Sequence, residues 1–284
     1  MIKIERSNLS VIADDYLKQL QKKRFNKKRG NVIQNYWVKN REKIIKSEAK
    51  DFDSIIDEFK ALNQDGFDDF KDYMKGQYED FFYNQKIGKW LAEQLNVKTC
   101  PYCNRQYIFT IQKGTKNVRP EFDHFYPKST YPYLALSLYN LIPACPTCNH
   151  TKSKDPIDKN PYIEGFQDNY RFELRTKDGR NNSLDWALEN EIEINFTATN
   201  ENVNVFALKE LYNEHLDYVN EIIDKTQAYN HSYYNSLIES YKGLGKQEAD
   251  IDRFIWGNYL ENAEHEKRPL SKLTKDILEQ LKIK

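Results

Sequence analysis

The sequence predicts an α+β chain: a mainly helical body with an inserted, zinc-stabilised module of short strands and a helix. Three observations carry this. Apolar residues recur at helical spacing towards both ends, strand-like alternation is confined to two short stretches, and all four cysteines gather into two C-x-x-C pairs near the middle.

A length of 284 residues suits one large domain or two small ones. Lys+Arg and Asp+Glu each number 43, so any basic surface for nucleic acid must be local. Twenty tyrosines and 15 phenylalanines supply aromatic filling for a core. There is no run of eighteen apolar residues to cross a membrane, and MIKIERSNLS lacks the apolar stretch of a signal peptide. The expected compartment is the cytoplasm, where thiols stay reduced.

Residues 1–97 form the first expected region, helical, basic and then acidic. The basic run includes Lys22, Lys23, Arg24, Lys27, Lys28 and Arg29, and reads as a solvated helix face or a phosphate-binding strip. Further on, Phe52, Ile55, Ile56 and Phe59 recur at helical spacing among Asp51, Asp53, Asp57 and Glu58, which predicts an amphipathic helix. Trp90, Leu91 and Leu95 predict another leading into the central module, residues 98–156. In the last region, residues 157–284, Tyr170 to Leu174 and Glu191 to Phe196 alternate as strands do, with a loop at 177–182. From Val205 the chain is expected to be helical, with Leu208, Leu211, His215, Tyr218 and Ile222 on one face. A last helix opens at Ser271 after Pro269 and turns Leu273, Ile277 and Leu281 inward.

The cysteine pairs read Cys100-Pro101-Tyr102-Cys103 and Cys145-Pro146-Thr147-Cys148. Two such turns complete a tetrahedron of thiolates around zinc, and a closed four-cysteine site leaves no position for substrate, so the zinc is structural. A redox reading lacks a βαβ setting around either pair.

Between the pairs lie Arg119, Asp123-His124, Lys128 and Asn140. Asn149, His150 and Lys152 follow the second pair. Taken singly, His124 reads as a satisfied core histidine. Asn140 and Asn149 read as turn or helix-cap residues, and Lys152 as a surface lysine. Their joint order around two cysteine pairs resembles the HNH nuclease family. That family has an Asp-His pair ending a first strand, an Asn opening a second, and a His or Asn at the start of the next helix. Asp123-His124, Asn140 and Asn149 match these positions in order, with Asn149 where many members have His. The step from Asn140 to Asn149 followed by Lys152 is similar to the HNH domain of the RNA-guided CRISPR nuclease.

The resemblance implies a ββα-metal module that hydrolyses DNA phosphodiesters. His124 titrates near neutrality and can take a proton from water. Asp123 and Asn149 offer oxygen ligands, which suit Mg²⁺ or Mn²⁺ rather than zinc. Adjacent strand residues point to opposite faces, so Asp123 and His124 meet one phosphate only where the strand ends or bends. By the resemblance, Asn140 pins the loop and orients His124. Lys152, Lys128, Arg119 and Arg105 are the candidate phosphate contacts. His150 reads as a non-ligand, and His215, His231 and His265 as structural or exposed.

The phrase FDHFYPKSTYPYLALSLYNLIPACPTCN resembles the HNH nuclease subunits of Septu and retron-type anti-phage defence systems. It implies a companion ATPase docked on the helical flanks. The competing readings are a non-catalytic zinc-stabilised nucleic-acid-binding module and a protein-binding adaptor. Neither needs Asp123, His124 and Asn149 together.

Overall fold

Local sequence accounts for some helix starts, which side chains cap. In the computed structural model, which describes residues 1–21, 30–84, 86–114, 116–166, 170–176, 192–229 and 231–282, the chain divides into two units. The basic run at 22–29 and the loop expected at 177–182 lie outside the described residues.

One unit comprises Lys3–Val97 and Ile108–Glu164. Its helices are α1 (Leu9–Gln21), α2 (Val32–Lys46), α3 (Phe52–Lys60), α4 (Phe67–Tyr78) and α5 (Ile87–Leu95). Asn31 caps α2 by accepting the Gln34 N–H, one of the donors a helix start leaves unpaired. The acidic helix forms as expected: Phe52, Ile55, Ile56 and Phe59 are buried on one face of α3. Between α4 and α5 runs a π-helical turn, Glu79–Asn84, whose Phe82 packs on Gly88 of α5. A Cβ at position 88 would lie 2.5 Å from the Phe82 ring, so only glycine permits this approach.

The same unit holds two antiparallel hairpins, β1 (Ile111–Lys113) with β2 (Lys116–Val118) and β3 (Glu121–His124) with β4 (Leu141–Ala144), followed by α6 (Pro146–Lys152). Helix α2 anchors the long β3–β4 connection from beneath. Trp37 donates its indole N–H to the Tyr133 carbonyl at 3.0 Å, and the Ser137 hydroxyl donates to the Ile44 carbonyl at 2.8 Å. The Tyr133 ring stacks on Phe59 at 4.1 Å.

The other unit comprises Met1–Ile2, Lys98–Tyr107 and Gly165–Lys284. Its hairpin pairs β5 (Phe172–Thr176) with β6 (Ile192–Phe196), and alternate residues of both strands are buried, as the sequence pattern requires. Side chains satisfy both open edges, which are otherwise unpaired donors and acceptors. Gln280 accepts from the Leu174 N–H and donates to its carbonyl, and Asn213 does the same for Ile194. The helices are α7 (Glu201–Val205), α8 (Leu208–Asn213), α9 (Leu216–Ala228), α10 (His231–Lys242), α11 (Glu248–Trp256) and α12 (Ser271–Gln280).

The expected single face from Leu208 to Ile222 is not continuous. The helix breaks at Glu214 and His215, and the buried residues are Leu208, Tyr212, Val219, Ile222 and Ile223, while Leu211 is half-buried. The break lets the Tyr212 hydroxyl donate to the Cys103 carbonyl at 2.5 Å. In α12, Leu273 and Ile277 are buried as expected, and Leu281 closes the helix half-exposed. No helix among the described residues is long and apolar enough to cross a membrane.

Candidate functional site

The strand pair β3–β4 and helix α6 build the site. Asp123 lies opposite Ile142 and His124 opposite Leu141, so the Asp-His pair occupies the last positions of β3. The strand ends there, and both side chains are buried within one neighbourhood. The His124 Nε2 lies 3.1 Å from the Ala135 carbonyl. A carbonyl only accepts, so in the neutral ring Nε2 carries the hydrogen and Nδ1 carries the lone pair. Tyr78 meets the imidazole edge-on at 4.8 Å. Burial, with Lys128 and Lys152 nearby, pushes the imidazole down to about 3, opposed only by the Ala135 bond. His124 is therefore neutral at physiological pH.

Asn140 is fully buried just before β4. Its Oδ1 accepts the Tyr126 N–H at 2.7 Å, and its Nδ2 donates to the carbonyls of Tyr126 and Leu134 at 3.1 and 3.0 Å. Its own carbonyl accepts the Phe125 N–H at 2.9 Å. Together these hydrogen bonds fasten the residues after His124 to the segment that carries Ala135.

Helix α6 starts immediately after β4. Its cap is Cys145, whose sulfur accepts the Cys148 N–H, with Pro146 at the first helical position. Asn149, for which the sequence also allowed a cap, lies within the helix, because the thiol and the proline have already closed the first turn. Its Nδ2 donates to Glu121 at 2.7 Å. The same Glu121 oxygen lies 3.5 Å from His150, whose side chain is largely exposed.

Lys152 departs from expectation. It is fully buried, donates to the His124 carbonyl at 2.8 Å and lies 3.3 Å from the Asp123 carboxylate. An ammonium held this way does not reach out to a phosphate. Burial lowers its pKa, and Asp123 opposes the shift.

A groove opens over these residues, lined among others by Tyr78, Asp123, His124, Lys128, Asn149 and Ser153. Lys128 sits over the Tyr78 ring at 4.3 Å, its pKa lowered chiefly by burial. Arg119 lines an adjoining recess with Glu121, Asn149 and His150, and donates to the Pro120 carbonyl. Arg105 is not among the groove residues. It belongs to the other unit and donates to the His215 Nε2 at 2.9 Å.

The four cysteine sulfurs lie within 4.8 Å of one another, all buried and none in a disulfide. A tetrahedron of 2.3 Å metal–sulfur bonds has edges of about 3.8 Å, so the quartet fits one metal ion. The Cys103 sulfur accepts the Arg105 N–H and the Cys145 sulfur the Cys148 N–H, both at 3.4 Å.

Residues 100–155 match the HNH endonuclease family. The HNH segment holds the four cysteines and the strand–strand–helix unit with Asp123, His124, Asn140 and Asn149. The Septu protein PtuB of Bacillus thuringiensis is 37% identical over 73 residues, a match covering 26% of this chain and 26% of that protein. The chain is thus matched over about a quarter of the length of this curated relative. No solved structure matches.

Three contributors to the HNH segment went unread in the sequence: Glu121, Tyr78 and the Ala135 carbonyl. Glu121 had a signal, since residues two apart on a strand share a face and Asp123 is two further on. Tyr78 and Ala135 had none, because tertiary packing alone brings them to His124.

Proposed function

We propose that the chain is a metal-dependent HNH endonuclease that hydrolyses DNA phosphodiester bonds as the nuclease effector of a bacterial anti-phage defence system, with a structural zinc on Cys100, Cys103, Cys145 and Cys148. The observation that carries the reading is the His124 ring: neutral, bonded through Nε2 to Ala135, with its Nδ1 lone pair left for the groove that Asp123 and Asn149 also line.

Asp123 and Asn149, which both line the groove, would hold a Mg²⁺ or Mn²⁺ ion. When bound, such an ion polarises the phosphate and stabilises the leaving oxygen. His124 takes a proton from the attacking water at Nδ1. Asn140 keeps the imidazole aligned by fastening the backbone after it to the segment that carries Ala135. Lys152 balances the buried Asp123 charge and ties the end of β3 to α6. Lys128, and more peripherally Arg119, meet phosphates of the DNA. Arg105, which donates to the His215 Nε2, is a further candidate phosphate contact. Zinc adds the folding energy that a small ββα unit lacks. The PtuB likeness supports the defence setting, in the cytoplasm, with an ATPase partner on the helical flanks.

The test is cleavage of supercoiled plasmid by EDTA-stripped, zinc-containing protein. Activity should return with Mg²⁺ or Mn²⁺ and be lost in His124→Ala. DNA binding without metal-stimulated cutting would overturn the proposal in favour of a binding module.

A further inference from the structure

We infer that Glu121 is a positioning residue that turns the Asn149 amide so that its oxygen, not its nitrogen, faces the divalent ion; this rests on the metal reading above. An Asn amide has two nearly isosteric ends, one donating and one accepting. Only the oxygen can ligate a hard cation. A free Asn149 would present the wrong end in part of its population.

The structure removes this ambiguity. The Glu121 carboxylate accepts from Asn149 Nδ2 at 2.7 Å. A carboxylate oxygen accepts and does not donate, so the amide meets it nitrogen first. Among the described residues, the Oδ1 of Asn149 accepts no hydrogen bond. It is the end left for the groove, which Asn149 lines together with Asp123.

The placement follows from two periodicities. Glu121 and Asp123, two apart on β3, share a face of the strand. Asn149 and Lys152, three apart on α6, share a face of the helix. Two rungs join strand to helix, Glu121 to Asn149 and Asp123 to Lys152. The second rung holds the charged ligand and the first orients the neutral one. Among the described residues, the Glu121 carboxylate also lies 3.5 Å from the largely exposed His150.

The experiment is a Mn²⁺ titration followed by electron paramagnetic resonance on zinc-loaded, full-length protein. It compares wild type, Asp123→Ala, Glu121→Gln, Glu121→Ala, Asn149→Ala and the double variant Glu121→Ala with Asn149→Ala. Partners that orient metal ligands are typically worth about 10–100-fold in affinity, so Glu121→Ala should bind Mn²⁺ about 10–100-fold more weakly, while Glu121→Gln, whose amide oxygen can still accept from Asn149 Nδ2, should lose less. In the Asn149→Ala background, Glu121→Ala should have no further effect, because no amide remains to orient. Zinc content and melting temperature serve as folding controls. If Glu121→Ala weakens Mn²⁺ equally with and without Asn149, Glu121 acts on the ion directly and the inference is overturned. Wild-type affinity in Glu121→Ala, while Asp123→Ala still loses Mn²⁺, also overturns it. If Asp123→Ala binds like wild type, the metal reading itself fails.

Discussion

Replacing Lys152 with methionine preserves the length and packing of a fully buried side chain and removes its charge. In the native structure the ammonium lies 3.3 Å from Asp123 and donates to the His124 carbonyl at 2.8 Å. The variant strands a carboxylate that is itself only 3% exposed. Removing one partner of a buried pair costs about 3–5 kcal/mol, because the remaining charge keeps its desolvation penalty. In a unit of this size each kcal/mol lowers the melting temperature by roughly 2–4 °C, so Lys152→Met should melt about 6–20 °C lower without divalent ion. Adding Asp123→Asn should recover much of the loss, since the stranded charge is gone. Saturating Mn²⁺ should also narrow the gap for Lys152→Met, by supplying Asp123 with a new counter-charge. Scanning calorimetry of the zinc-loaded proteins, with and without Mn²⁺, reads all three effects. A Lys152→Met protein of wild-type melting temperature, with weakened DNA binding and a shallower salt dependence, would refute this reasoning. It would return Lys152 to the surface phosphate contact that its sequence position suggests.

Single-turnover cleavage by His124→Ala should fall by at least about 10²–10⁴, with zinc content and DNA affinity unchanged, since a general base contributes roughly that much; wild-type cutting would remove the mechanism. Cys103→Ser should lower bound zinc, as read by elemental analysis, together with the melting temperature; an unchanged protein would exclude the quartet as a metal site. Burial, with Lys272 and Lys275 nearby, lowers His265 from 6.5 to about 4, and among the described residues its Nε2 has no hydrogen-bond partner. The folded state thus binds fewer protons than the unfolded state between those values. The His265 contribution to stability is complete above pH 6.5 and is lost as pH falls towards 4. Urea midpoints from about pH 7 to 4 should drop more steeply for wild type than for His265→Phe; parallel curves would contradict the assignment.

Much of the site was legible because its signals are local. The C-x-x-C spacing, the order Asp123-His124, Asn140, Asn149, and the apolar face of α3 are patterns within a few residues or along one motif. The sequence by itself therefore determined the cysteine quartet and the mainly helical surroundings, and its resemblance to a known motif implied the strand–strand–helix order. It could not decide what each polar atom meets. Lys152 and Asp123 are 29 residues apart, Asn149 and Glu121 28, Trp37 and Tyr133 96. Such pairings leave no period in the chain, so Lys152 read as a phosphate contact, and neither its Asp123 partner nor the Glu121 partner of Asn149 was foreseen. Only the tertiary structure, by taking these groups out of water and requiring each to find a partner, decided that Lys152 serves Asp123, that Glu121 holds Asn149, and that His124 keeps its Nδ1 lone pair.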